Sequence, residues 1–111
     1  EQQPAPQRKT ECDVTIMRGN ELDRKVKIIA KPDPKWSDEE LRRQGSGIII
    51  LSAVFCGSGK VTDIRVRRGM SEELDRKAVD AARKIRYIPA EKDGQKVSQW
   101  LQLEYRLNIS R

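Results

Sequence analysis

The sequence predicts an α+β domain: a three-stranded antiparallel sheet with two helices on it, which an N-terminal β-hairpin would extend. Three observations predict it. Ile48 to Phe55 and Val61 to Arg68 are β-prone runs joined by the Gly-rich stretch Cys56-Gly57-Ser58-Gly59-Lys60, which reads as a hairpin. Leu74, Ala78, Ala81, Ala82 and Ile85 recur at i, i+4, i+7, i+8 and i+11, the apolar stripe of a helix. Leu101, Leu103, Tyr105, Leu107 and Ile109 alternate with Trp100, Gln102, Glu104, Arg106 and Asn108, the pattern of a strand with one buried face.

Taken in order, residues 1–11 are rich in Gln, Pro and charge and lack apolar periodicity, so they read as a flexible linker. Residues 12–111 form a single domain. Cys12, Val14 and Ile16 alternate, which predicts a short strand to Met17, and Arg18-Gly19-Asn20 is a turn signal. Val26 to Ala30 is a second short β-prone run, and the two together would make the N-terminal hairpin. Lys31-Pro32-Asp33-Pro34 breaks regular structure, because each proline disfavours the helical region in the residue before it. Ser37 then offers a helix cap, with Glu40 at the capping-box spacing, and the helix stops at Gly45-Ser46-Gly47.

In the first core strand Ile49, Leu51, Ala53 and Phe55 share one face. Ile48, Ile50, Ser52 and Val54 share the other, which is apolar enough to predict partial cover from a helix or the N-terminal segment. The second strand places Val61, Ile64 and Val66 inward, with an irregularity near Thr62-Asp63. Ser71 caps the main helix, Glu72, Glu73 and Asp75 suit its positive end, and Arg83, Lys84 and Arg86 suit its negative end. Tyr87-Ile88-Pro89-Ala90 leads through Asp93-Gly94 into the third strand. The helix returns the chain along the sheet, so the third strand lies beside the first and sits at an edge, in the order two-one-three. Unpaired backbone groups on such an edge accept a partner strand.

The bulk numbers exclude several classes. No apolar run reaches the roughly 18 residues of a membrane span. The sequence opens at Glu1 with no basic-then-apolar leader in view, so a processed or trimmed chain is expected. With 0 histidines, Ser-His and Cys-His nucleophile pairs are impossible, and no CxxC suggests zinc, so no metal or cofactor is expected. Gly57-Ser58-Gly59-Lys60 resembles the end of a phosphate loop, but Val54 and Val61 stand where Gly and Ser or Thr are required. Glu39-Glu40 and Glu72-Glu73 read as helix N-terminal charges, and catalysis is not expected. Cys12 and Cys56 permit one disulfide in an oxidising compartment; two unrelated thiols are the alternative. The net charge of +6 favours acidic partners, and Arg65, Arg67 and Arg68 with Arg83, Lys84 and Arg86 form a candidate basic patch. Exposed aromatics for nucleic-acid stacking are few, with Trp36 and Trp100 the candidates.

The segment Trp36-Ser37-Asp38-Glu39-Glu40-Leu41-Arg42-Arg43-Gln44-Gly45-Ser46-Gly47 resembles the short first helix and Gly entry of the TonB C-terminal domain family. Phe55-Cys56-Gly57-Ser58-Gly59-Lys60-Val61 is similar to that family's Gly turn. Leu74-Asp75-Arg76-Lys77-Ala78, Ile85-Arg86-Tyr87-Ile88-Pro89-Ala90 and Asp93-Gly94-Gln95-Lys96-Val97 resemble its helix, helix exit and later Gly. The similarity runs over about residues 31–108. The chain departs from the family pattern at Trp36-Ser37, where Tyr-Pro is usual, and at Ile85, where Trp is usual.

The resemblance implies a non-catalytic module exported to the periplasm of the bacterial cell envelope. It binds an extended peptide of an outer-membrane transporter by strand addition, for energy-coupled transport. Carried over by position, the pairing strand is Ser98 to Asn108, with Ser98, Gln99, Trp100, Gln102, Glu104, Arg106 and Asn108 as contacts and Lys31 to Trp36 as a second contact. Trp100 either caps the strand or packs on the N-terminal segment, or it is an anchor for the peptide. The alternatives are a stand-alone periplasmic or secreted domain of the same fold with another partner, or a basic nucleic-acid or envelope-polymer binder. A homodimer is open, because such edges pair readily.

Overall fold

The computed structural model describes Cys12 and residues 16–107. The expectations for residues 1–11, Val14, Asn108 and Ile109 lie outside the described residues. The strands are β1 (Ile16–Met17), β2 (Lys27–Ala30), β3 (Gly47–Phe55), β4 (Val61–Arg68), β5 (Arg86–Ile88), β6 (Ala90–Lys92) and β7 (Gln95–Leu107). The helices are α1 (Asp38–Gln44), between β2 and β3, and α2 (Glu72–Arg83), between β4 and β5.

Both helices start where their caps place them. Ser37 Oγ accepts from the Glu40 N–H at 3.1 Å, and Glu40 Oε1 accepts from the Ser37 N–H at 2.8 Å, a complete capping box. Ser71 Oγ accepts from the Leu74 N–H at 3.2 Å and starts α2. The α2 stripe of Leu74, Ala78, Ala81 and Ala82 is buried against Ile49, Leu51, Ala53 and Phe55 of β3. Small side chains on that stripe let the helix sit close to the sheet.

The core strands run β4-β3-β7, the predicted two-one-three order, and both pairings are antiparallel. The sheet is larger than the predicted three strands, and it is mixed. β6 forms a hairpin with the start of β7 through Asp93-Gly94, whose φ values of 55° and 79° are those of a primed two-residue turn. β1 adds in parallel, with Ile16 opposite Ser98 and Met17 opposite Gln99. β2 pairs with β5 in a separate two-stranded sheet. The predicted N-terminal hairpin therefore does not form. Its two strands are led apart because Asp23 N–H and Arg24 N–H donate to the Glu91 carbonyl at 3.0 and 3.2 Å and Glu91 N–H donates back to Arg24. That bridge to β6 carries the following residues onto β5.

The predicted irregularity is present: Asp63 has φ of 52°, and the β3–β4 register shifts between Ser52 and Val54. Beyond it Val66 keeps the inward face, opposite Leu51, but is 43% exposed because it lies toward the end of an edge strand. Tyr87 packs in the core edge-to-face on Phe55, with ring centroids 4.9 Å apart. Its hydroxyl lies 2.7 Å from the Cys56 carbonyl and 2.8 Å from the Lys60 carbonyl, so it staples the base of the β3–β4 turn. Burial pushes that hydroxyl up to about 12, and it remains a donor through the physiological range.

Among the described residues the opposite face of β3 is covered at one end. Val54 is buried with Cys12, Cys56 and Ile16, so the N-terminal segment supplies the cover the apolar pattern called for. Ile48, Ile50 and Ser52 on the same face stay half-buried.

Candidate functional site

The site is built along β7, a strand of 13 residues. Its flanks are not equally occupied. β6 takes Gln95 to Val97, β1 takes Ser98 and Gln99, and β3 takes Gln99 to Leu107. From Trp100 to Leu107, β3 is the sole strand partner among the described residues, which leaves the other flank open. The predicted edge of Ser98 to Asn108 is therefore shorter at its start.

Ser98 and Gln99 are buried rather than presented to a partner. Ser98 Oγ accepts from the Gly57 N–H at 3.0 Å and lies 2.7 Å from Cys12 Sγ. Gln99 Oε1 accepts from the Val26 N–H at 3.0 Å. Trp100, Gln102, Glu104 and Arg106 are exposed on the alternate face, while Leu103, Tyr105 and Leu107 are buried. The register sets Trp100 opposite the buried Val54, and Trp100 is 40% exposed.

Beside the open flank runs the segment ahead of α1. Lys31, Asp33 and Trp36 face Glu104, Tyr105 and Arg106 across a groove of about 600 Å³. Trp36 is held in place by its Nε1, which donates to the Leu74 carbonyl at 3.3 Å. Lys31 Nζ donates to the Glu104 carbonyl at 2.8 Å and sits 4.6 Å from the centre of the Tyr105 ring. The Tyr105 hydroxyl is buried and has no hydrogen-bond partner among the described residues. Burial first, and the nearby Asp33 carboxylate second, push it up to about 12. A buried hydroxyl without a partner opposes folding. Tyr105→Phe is therefore expected to raise stability by about 1 kcal/mol, read as a higher urea midpoint.

A charged tie joins the two helices near this groove. Lys77 Nζ contacts both carboxylate oxygens of Glu40, at 2.8 and 2.9 Å, and Glu40 is only 5% exposed. The neighbouring Glu73 carboxyl, then Lys77, then the Ser37 N–H lower Glu40 from 4.5 to about 2. Glu73 moves the opposite way, raised first by its hydrogen bond to Glu40 and then by Glu40's charge. Glu40 thus supplies stability above its unfolded value that is lost as pH falls through about 2. Glu73 favours the fold below its raised value, and that contribution is lost as pH rises through it. Carboxyl-carbon NMR titration should find Glu40 charged at pH 3 and Glu73 titrating above the ordinary glutamate range.

The six residues of the candidate basic patch do not meet on one surface. Arg65 and Arg68 sit opposite Ser52 and Ile50, on the sheet face away from α2, and Arg67 Nε donates to Ser52 Oγ at 2.9 Å. Arg83, Lys84 and Arg86 are exposed around the far end of α2 and the start of β5. That end lies about 18 Å along the helix from the end that follows β4. Cys12 and Cys56 form a disulfide. Among the described residues no three metal-ligating side chains converge, and no helix is long and apolar enough to cross a membrane.

Sequence reasoning missed the Lys31–Glu104 contact and the Glu40–Lys77 tie. Each joins residues far apart in the chain, and neither leaves a periodic signal. Lys31's place just ahead of Pro32 and Pro34, in a segment named as a second contact, was the nearest clue.

The chain is thus a small α+β fold with a mixed sheet, two helices, a last strand open on one flank among the described residues, and a groove against the segment before the first helix. The family model for the Gram-negative bacterial TonB protein C-terminal matches residues 32–108, well over half of the chain. The chain belongs to that family. The solution NMR structure of the Pseudomonas aeruginosa TonB CTD is similar, with a TM-score of 0.65 at 21% identity, over 86% of this chain and 95% of that one. At that identity the likeness establishes the shared fold. A search of curated proteins finds no match.

Proposed function

We propose that this chain is a non-catalytic protein-binding domain that takes up an extended peptide of an outer-membrane transporter as an added strand on β7, in the periplasm of a double-membrane bacterium. The observation that carries this reading is the outer flank of Trp100 to Leu107, which has no strand partner among the described residues and borders a groove. Membership of the TonB C-terminal family supports it. An added strand gains backbone hydrogen bonds along the flank, and side chains lying in the groove supply selectivity. Gln102, Glu104 and Arg106 are the exposed contacts along the flank, Trp100 is a candidate anchor at its start, and Trp36 borders the groove.

A backbone amide NMR titration with a transporter-type box peptide tests the reading, run oxidised and reduced. Resonance shifts concentrated on Trp100 to Leu107 are the expected result. Silence in both states would overturn transporter coupling and favour a domain of the same fold with a different envelope partner. A second reading rests on Arg65, Arg67 and Arg68, which are exposed and meet no carboxylate among the described residues. They suit an anionic polymer or headgroup, and binding that weakens steeply with salt is the expected mark of it.

A further inference from the structure

The open flank of β7 is not bare. Lys31 Nζ donates to the Glu104 carbonyl at 2.8 Å, a bond to the backbone of the open strand, while its charge rests on the Tyr105 ring. The residues after Lys31 run along the groove with β7 yet form no strand with it. Their sequence explains why. Pro32 and Pro34 lack the N–H groups a ladder needs, and their rings hold φ near −65°, away from the roughly −120° to −140° of a paired strand. The lysine covers a single carbonyl of that edge with an exposed side chain. An exposed lysine on a sheet edge also discourages pairing with a second copy.

We infer that Lys31-Pro32-Asp33-Pro34 is a displaceable guard of the binding edge, with Lys31 occupying the Glu104 carbonyl until a partner strand takes it. The inference rests on the strand-addition reading and deepens it. Lys31 competes with the partner, so removing it strengthens binding, the reverse of what a direct contact residue does.

The experiment compares the full chain with its Lys31→Ala and Lys31→Arg variants. The probe is a blocked, uncharged heptapeptide of alternating threonine and valine, chosen so that it makes no charge contact with Lys31. Lys31→Ala should move the Glu104 carbonyl-carbon resonance and tighten peptide binding about fivefold, the worth of one ordinary hydrogen bond. Lys31→Arg, which keeps a donor there, should bind like the parent. Pro32→Thr combined with Pro34→Thr should weaken binding by letting the segment pair with β7. Equal or weaker binding of Lys31→Ala overturns the guard and leaves strand addition standing. A peptide that binds none of the proteins overturns the edge reading, and the guard with it.

Discussion

Reducing the Cys12–Cys56 disulfide, or replacing both cysteines with alanine, is expected to lower the unfolding free energy by about 4 kcal/mol. The bond closes a loop across a sequence separation of 44 residues. Cross-linking at that separation removes conformational entropy chiefly from the unfolded chain, and the chain-entropy relation returns a value near this figure. The loss falls on a particular part of the fold. Cys12 and Cys56 share a small cluster with Val54 and Ile16, and Cys12 Sγ also meets Ser98 Oγ. Opening the bond should free the N-terminal segment first, so amide exchange at Ser98 and Gln99 should quicken before the rest of β7. Urea unfolding with and without a dithiol reductant reads the total. An unchanged midpoint would mean that the cross-link contributes little to stability.

The second large effect lies at the centre of the main core. Phe55→Ala should cost about 3–5 kcal/mol, because it removes a fully buried ring and leaves a cavity that the sheet cannot collapse to fill. The lost volume touches both halves of the domain: Phe55 ends β3 and packs edge-to-face on Tyr87, whose hydroxyl staples the following turn. Ile29→Ala is the matched contrast. Ile29 is 61% exposed on β2, so its removal should change stability by less than about 0.5 kcal/mol. Urea denaturation of both variants, followed by far-ultraviolet circular dichroism, checks the ranking. The combined loss of Phe55 and the disulfide approaches the whole stability of a typical domain, so that double variant should be unfolded at 37 °C.

Elements whose order comes from neighbouring residues were readable in the chain. The Ser37–Glu40 box, the Ser71 cap and the Leu74-to-Ala82 stripe each specify their helix within a turn or two. The alternation of Leu101 to Leu107 set the inward face of β7, and Asp93-Gly94 set its hairpin. The apolar second face of β3 was read correctly as needing cover, and Cys12 and Ile16 supply it at Val54. What escaped was decided by partners distant in sequence. β1 has 2 residues, too few to show a period, so nothing local reveals that it adds in parallel to β7. β2 has exposed Ile28 and Ile29, and its place on β5 depends on the Arg24–Glu91 bridge. The basic residues clustered in type but not in space, because a sheet separates α2 from the face that carries Arg65 and Arg68. The site followed the same rule: the open edge followed from strand order, whereas the Lys31 cap and the buried Tyr105 hydroxyl required the packed structure.

The central claim is that β7 carries the binding edge on its outer flank between Trp100 and Leu107. Amide hydrogen exchange of the oxidised chain, measured residue by residue with and without a transporter-type box peptide, tests it most directly, because it reports the backbone hydrogen bonds themselves. Strand addition predicts that alternate amides between Trp100 and Leu107, those facing away from β3, slow on binding while Ser98 and Gln99 stay as they were. Unchanged exchange along that stretch, with protection arising on β4 or around α2 instead, would contradict it.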